Sequence, residues 1–166
     1  MDRHYGKHRG KVTANLDPLS RGRVLVNVPS VMGTASNWAL PAVPFTGVQA
    51  GFYVVPPVQA NVWVEFEEGD KDRPIWCGGF WDTGTVPTAA LTPSAPVAHV
   101  LIQTTNQNVI HVCDGPLPPL LTAGGIVLSS GKSTITIGPD GVKITAPRIE
   151  LKGLTIVNDG ALTVTP

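Results

Sequence analysis

His111 and Cys113 stand two residues apart in an apolar run, Val109-Ile110-His111-Val112-Cys113. On a strand, residues i and i+2 share a face, so the imidazole and the thiol would point the same way. Three copies of the chain would then present six such ligands. Two ligand types at strand spacing are a weak zinc signal, and neither His99 nor Cys77 shows a partner set in the sequence. A second group is acidic: Glu65, Glu67, Glu68, Asp70 and Asp72 could pair carboxylates for general acid–base work or hold a cation. They close a strand-like run and enter a turn with Lys71 and Arg73 interleaved, which is the pattern of a solvated hairpin. A third group is basic. Arg3, Lys7, Arg9 and Lys11, with His4 and His8, lie near the N-terminus, and Trp38, Tyr53, Trp63 and Trp76 could stack bases beside them. Through Asp82, however, eight Lys and Arg are matched by eight Asp and Glu. No glycine-rich phosphate loop and no Ser/His/Asp arrangement emerges. The sequence therefore assigns no catalytic residue, no metal ligand and no cofactor.

The elements that must position these groups are short. Gly (18) and Pro (16) make about a fifth of the 166 residues, which excludes a helical bundle and favours many brief strands between turns. Formal net charge is +0, so no strong overall field draws the chain to nucleic acid or an anionic membrane. Two cysteines are too few for a disulfide scaffold. No apolar run approaches the roughly 18 residues of a membrane helix. The basic N-terminus is followed by no apolar h-region, so the chain is expected to be made in the cytoplasm without a signal peptide.

Residues 1–83 read as one small β-barrel of about five strands. Gly10–Asn15, Arg23–Val28, Phe52–Val55, Asn61–Glu67 and Ile75–Trp81 supply the strands, and a long loop holds Trp38, Pro41 and Pro44. An OB-fold is the natural closure for such a set. Residues 84–97 are rich in Gly, Thr, Pro, Ala and Ser and read as a linker. Residues 98–166 behave differently. After two apolar runs, Val97–Ile102 and Asn108–Val112, and a Pro-rich loop, short strands begin every five to eight residues. Each carries one apolar pair on a single face: Ile126/Leu128, Ile135/Ile137, Val142/Ile144, Ile149/Leu151, Leu154/Ile156 and Leu162/Val164. Gly138-Pro139-Asp140-Gly141, Gly153 and Asn158-Asp159-Gly160 mark corners. A period this short is that of a β-helix. Strands with two inward residues cannot bury one another in a lone chain, so these twelve side chains are expected to form the core of an intertwined trimer.

Several pieces stand in a specific order and spacing: Tyr5-Gly6-Lys7-His8-Arg9-Gly10-Lys11-Val12, Gly22-Arg23-Val24-Leu25-Val26, Trp38-Ala39-Leu40-Pro41, Gly51-Phe52-Tyr53-Val54-Val55-Pro56-Pro57, Val62-Trp63-Val64-Glu65-Phe66 and Arg73-Pro74-Ile75-Trp76-Cys77-Gly78-Gly79-Phe80-Trp81. Together they resemble the central spike proteins of contractile tails and injection systems. That group includes the phage baseplate assembly protein V family and the related VgrG proteins of type VI secretion. Gly124-Gly125-Ile126-Val127-Leu128 is similar to the family's β-helical needle. The resemblance implies an all-β, non-enzymatic homotrimer: an N-terminal OB-fold followed by a β-helical needle. It further implies docking of the barrel on a baseplate hub or tube, contact with a target membrane on firing, and assembly into a phage tail or injection particle. The C-terminus has no His-x-His pair of the kind some needles carry at the apex. Leu162, Val164 and Pro166 are instead expected to meet a PAAR-like tip protein. The alternative readings are an OB-fold module for single-stranded nucleic acid and a carbohydrate-processing tail enzyme.

Overall fold

Val12, Val24, Val26, Val62, Val64 and Phe66 are all buried, and each alternates with a less buried neighbour along its strand. That period of two makes a sheet with one apolar face, which hides the face by closing on itself. The computed structural model describes residues 2–92 and 97–153, in two units that divide between Val86 and Pro87. In the first unit the barrel strands are β1 (His8–Ala14), β2 (Val24–Asn27) and β3 (Ser36–Pro41), then, after a two-residue hairpin pair β4 (Thr46–Gly47) and β5 (Ala50–Gly51), β6 (Asn61–Phe66) and β7 (Pro74–Gly79). They close in the order β1-β2-β3-β7-β6. All pairs are antiparallel except β3 with β7, which run parallel at Leu40↔Ile75 and Pro41↔Trp76. This is the OB-fold.

One barrel strand is not where the sequence suggests. Phe52–Val55 forms no strand; Phe52, Tyr53 and Val54 are exposed, and Pro56 and Pro57 after them have no N–H to donate to a ladder. The missing member is β3, inside the expected loop. There Ala39 points into the core, and Pro41 sits at the strand end, where its missing donor costs little. A single-turn helix α1 (Pro29–Met32) follows β2, begins at a proline suited to a first helical turn, and sets Val31 and Met32 against the core.

Asp17 latches the loop between β1 and β2. Its carboxylate accepts from the backbone N–H groups of Leu19, Arg21 and Arg23 and pairs with the Arg23 guanidinium at 2.7 Å. The Arg23 guanidinium in turn lies over the Trp38 ring. Arg23 first, and against the opposing effect of burial the three N–H donors as well, hold the Asp17 carboxyl far below the usual carboxylate range. A depressed acid stabilises the fold above its unfolded pKa and loses that contribution as pH falls through its folded pKa. Wild type should therefore exceed Asp17→Asn in denaturant midpoint at about pH 6, and the gap should close as pH drops well below about 4. A gap that stays constant over that range would contradict the latch.

All ten aromatic residues of the chain fall within the first 81 positions, including the four tryptophans. Tryptophan emission therefore originates in the first unit alone. Among the described residues, no helix is long and apolar enough to cross a membrane.

The second unit is an antiparallel meander: β8 (His99–Gln103), β9 (Val109–Cys113), β10 (Gly125–Ser130), β11 (Ser133–Gly138) and β12 (Gly141–Thr145). Two-residue turns at Gly131-Lys132 and Pro139-Asp140 join the last three strands. Residues 114–124 leave the sheet and return across one face. Leu117 and Leu121 hold that strap closed by reciprocal backbone hydrogen bonds of 3.0 and 2.9 Å. Both leucines are buried against Cys113 and Val127, with Val97 alongside. The strap lies close because the sheet beneath it is glycine. A Cβ at Gly125 would strike the Ile137 carbonyl and come within 3.0 Å of Leu121, and one at Gly138 would also reach 3.0 Å from Leu121. Arg148–Lys152, which the sequence suggests as a further strand, carries no ladder among the described residues, and Pro147 ahead of it brings no donor. Where the sequence suggests a β-helix, the described residues of a single chain form this antiparallel meander instead.

Candidate assembly face and a histidine–cysteine cluster

Register decides which side chains share the uncovered face of the meander. Val100, Val112, Ile126, Ile137 and Val142 stand opposite one another across five strands, and Ile102, Ile110, Leu128, Ile135 and Ile144 form a second such row. Apart from Ile126, which is half-buried, these side chains are between 36% and 66% exposed. Two unbroken apolar rows facing outward are far more than scattered surface hydrophobes. Six of the expected core residues, Ile126, Leu128, Ile135, Ile137, Val142 and Ile144, therefore lie together. Ile149 borders a shallow groove of ≈ 640 Å³ on this same face, with Ile102, Ile110, Leu128, Ile135 and Ile144. Leu151 is exposed beyond the last strand. Leu154, Ile156, Leu162, Val164 and Pro166 lie outside the described residues.

Sequence reasoning left out four members of the rows: Val100, Ile102, Ile110 and Val112. Their alternation was the available signal. The long Pro-rich connection broke the five-to-eight-residue period, so β8 and β9 did not group with the later strands.

The covered face holds the chemistry. His99 is directly opposite Cys113, and His111 precedes Cys113 by two residues on β9, so the three side chains share one side of the sheet. One ligand atom from each lies within 4.8 Å of the other two. The His99 and His111 rings meet edge to face at 5.4 Å. His111 and Cys113 are 4% and 2% exposed, whereas His99 is open to solvent. The His111 Nε2 is enclosed without any hydrogen-bond partner. Burial, and then the charge of His99, push the His111 imidazole below its ordinary pKa and so favour the neutral ring. The expectation that His99 has no partner set is corrected here. The pairing that supplies it spans the turn between β8 and β9 and is invisible to local spacing.

On the barrel, the basic residues are largely engaged. Arg3 donates to the Glu68 carbonyl at 2.7 Å, Lys7 pairs with Glu65 at 2.7 Å, and Arg9 stacks over Trp63 and Phe80. Glu65 first, then Cys77, raise the Lys7 pKa. Glu67 and Glu68 both meet Arg73, and Asp70 accepts from the Asp72 N–H. The acidic stretch is thus a paired hairpin. Trp76 is a core residue, Trp38 and Trp63 are half-buried and Tyr53 is exposed, so the four aromatics share no single stacking surface.

Residues 8–81 match the type VI secretion system/phage-baseplate injector OB domain, and residues 99–163 match the phage baseplate V C-terminal trimerisation domain. The chain belongs to the phage baseplate V spike family. Among curated proteins, none matches the chain. As a baseplate spike it is a structural component of a tail particle, and its second domain makes it a homotrimer. The matched trimerisation segment contains both apolar rows as well as the histidine–cysteine cluster.

Proposed function

We propose that the trimer is the membrane-piercing needle of a contractile tail or extracellular injection particle. In this reading three meanders pack their open faces together and continue as an intertwined β-helix, giving a VgrG-like spike. The barrel docks on the hub or tube, for which the exposed Phe45, Val48, Phe52 and Tyr53 around β4 and β5 are the favoured contact. A PAAR-like tip protein seats on the C-terminal end through Leu162, Val164 and Pro166. The observation that carries the reading is the pair of apolar rows. Burying ten half-exposed aliphatic side chains contributes about 8–15 kcal/mol per chain. A needle so joined transmits the work of sheath contraction without unfolding, and the trimerisation match supports three as the number of chains.

The purified chain should scatter light with a mass near three copies and should keep that mass in unheated detergent, dissociating only on boiling. A monomer would sink the needle reading and turn attention to single-stranded nucleic acid, to be tested by a salt-sensitive mobility shift. Removal of residues 154–166 should leave particles that assemble and contract but no longer breach target cells. Retention of killing by such particles would remove the piercing and tip assignments.

A further inference from the structure

We propose that His99, His111 and Cys113 bind one zinc ion per chain and thereby staple β8 to β9. The three side chains are brought to one face by register, with His99 opposite Cys113 and His111 two residues away. Zinc holds nitrogen at about 2.0–2.1 Å and sulfur at about 2.3 Å in a tetrahedron, which sets two nitrogens and one sulfur about 3.3–3.6 Å apart. The present spread of up to 4.8 Å closes with a shift of about 1 Å. His99 can supply it by side-chain rotation, since it is solvent-exposed at the start of an edge strand.

Two further observations point the same way. The enclosed His111 Nε2 has no partner, and a buried polar atom in that state calls for an explanation. The cluster contains no carboxylate, and a thiolate with two imidazoles selects a borderline cation over magnesium or calcium. Binding forms one Zn–S and two Zn–N bonds, and the Cys113 thiol proton leaves to solvent. The fourth position falls to water. The staple fastens the first strand of the trimerisation domain through side chains as well as through its ladder.

The test uses the full-length trimer, freed of metal by a chelator and titrated with Co²⁺ and Zn²⁺. One equivalent of Co²⁺ per chain should bind, with tetrahedral d–d bands and a thiolate-to-cobalt charge-transfer band in the near ultraviolet. Cys113→Ser should abolish the charge-transfer band. Because Cys113 is buried and that variant could unfold the sheet, the exposed His99→Ala carries the decision. It should remain trimeric while losing at least about 100-fold in Zn²⁺ affinity. Cobalt uptake without a thiolate band, no stoichiometric uptake, or His99→Ala binding Zn²⁺ as tightly as wild type would each overturn the site.

Discussion

Leu128→Asp should turn the trimer into monomers at micromolar concentration while each barrel stays folded. Leu128 is central in its row, flanked across the strands by Ile110 and Ile135. In a threefold assembly the substitution enters three times. A carboxylate buried without a partner costs several kcal/mol, so three together remove more than about 10 kcal/mol. The alternative, protonation of the three acids, carries a comparable penalty at neutral pH. Lys143→Glu is the control. Lys143 pairs with Thr136 on the strap side of the sheet, one residue from the apolar rows, and is exposed. Light scattering should give one chain mass for Leu128→Asp and three for Lys143→Glu. Equal masses for the two variants would show that the open face is not the trimer core.

Gly125→Val should have the second largest effect, by a different route. A β-carbon there meets the Ile137 carbonyl, which is part of the β10–β11 backbone and cannot rotate away, and it also crowds Leu121. Overpacking of a close-fitted site costs about 1–3 kcal/mol even where side chains can yield. Against backbone the expected loss is at least about 3 kcal/mol, and the Leu117–Leu121 strap should lift from the sheet. Gly125→Ala should be intermediate. Amide exchange in β9–β11 should accelerate in both variants, while tryptophan emission remains that of the folded barrel. Wild-type protection in Gly125→Val would contradict the close approach. The two substitutions separate assembly from folding: Leu128→Asp spares the sheet of each chain, and Gly125→Val damages it.

What could be read from the residues follows from where the information resides. β1, β2, β6 and β7 were legible because their valines alternate with polar neighbours and turn chemistry stops each run. β3 was not, since Trp38 and Leu40 stand among small residues and end in a proline, which reads locally as loop. Its place comes from pairing with β2 on one side and β7 on the other. The later half of the apolar face was legible as spaced aliphatic pairs, whereas Val100, Ile102, Ile110 and Val112 join it only through cross-strand register. His99 is the sharpest case. Its neighbours in sequence offer no ligand, and its neighbour in space, Cys113, lies fourteen positions away across a turn.

The meander also carries a rule for length. Each of its five strands adds the same increment, one residue to each apolar row, and neighbouring strands are spaced by about 4.8 Å. Inserting or deleting one hairpin would lengthen or shorten the sheet by about 10 Å without altering its width or the chemistry of its rows. The apolar face can therefore be extended or trimmed by counting hairpins, each one adding two residues to each row.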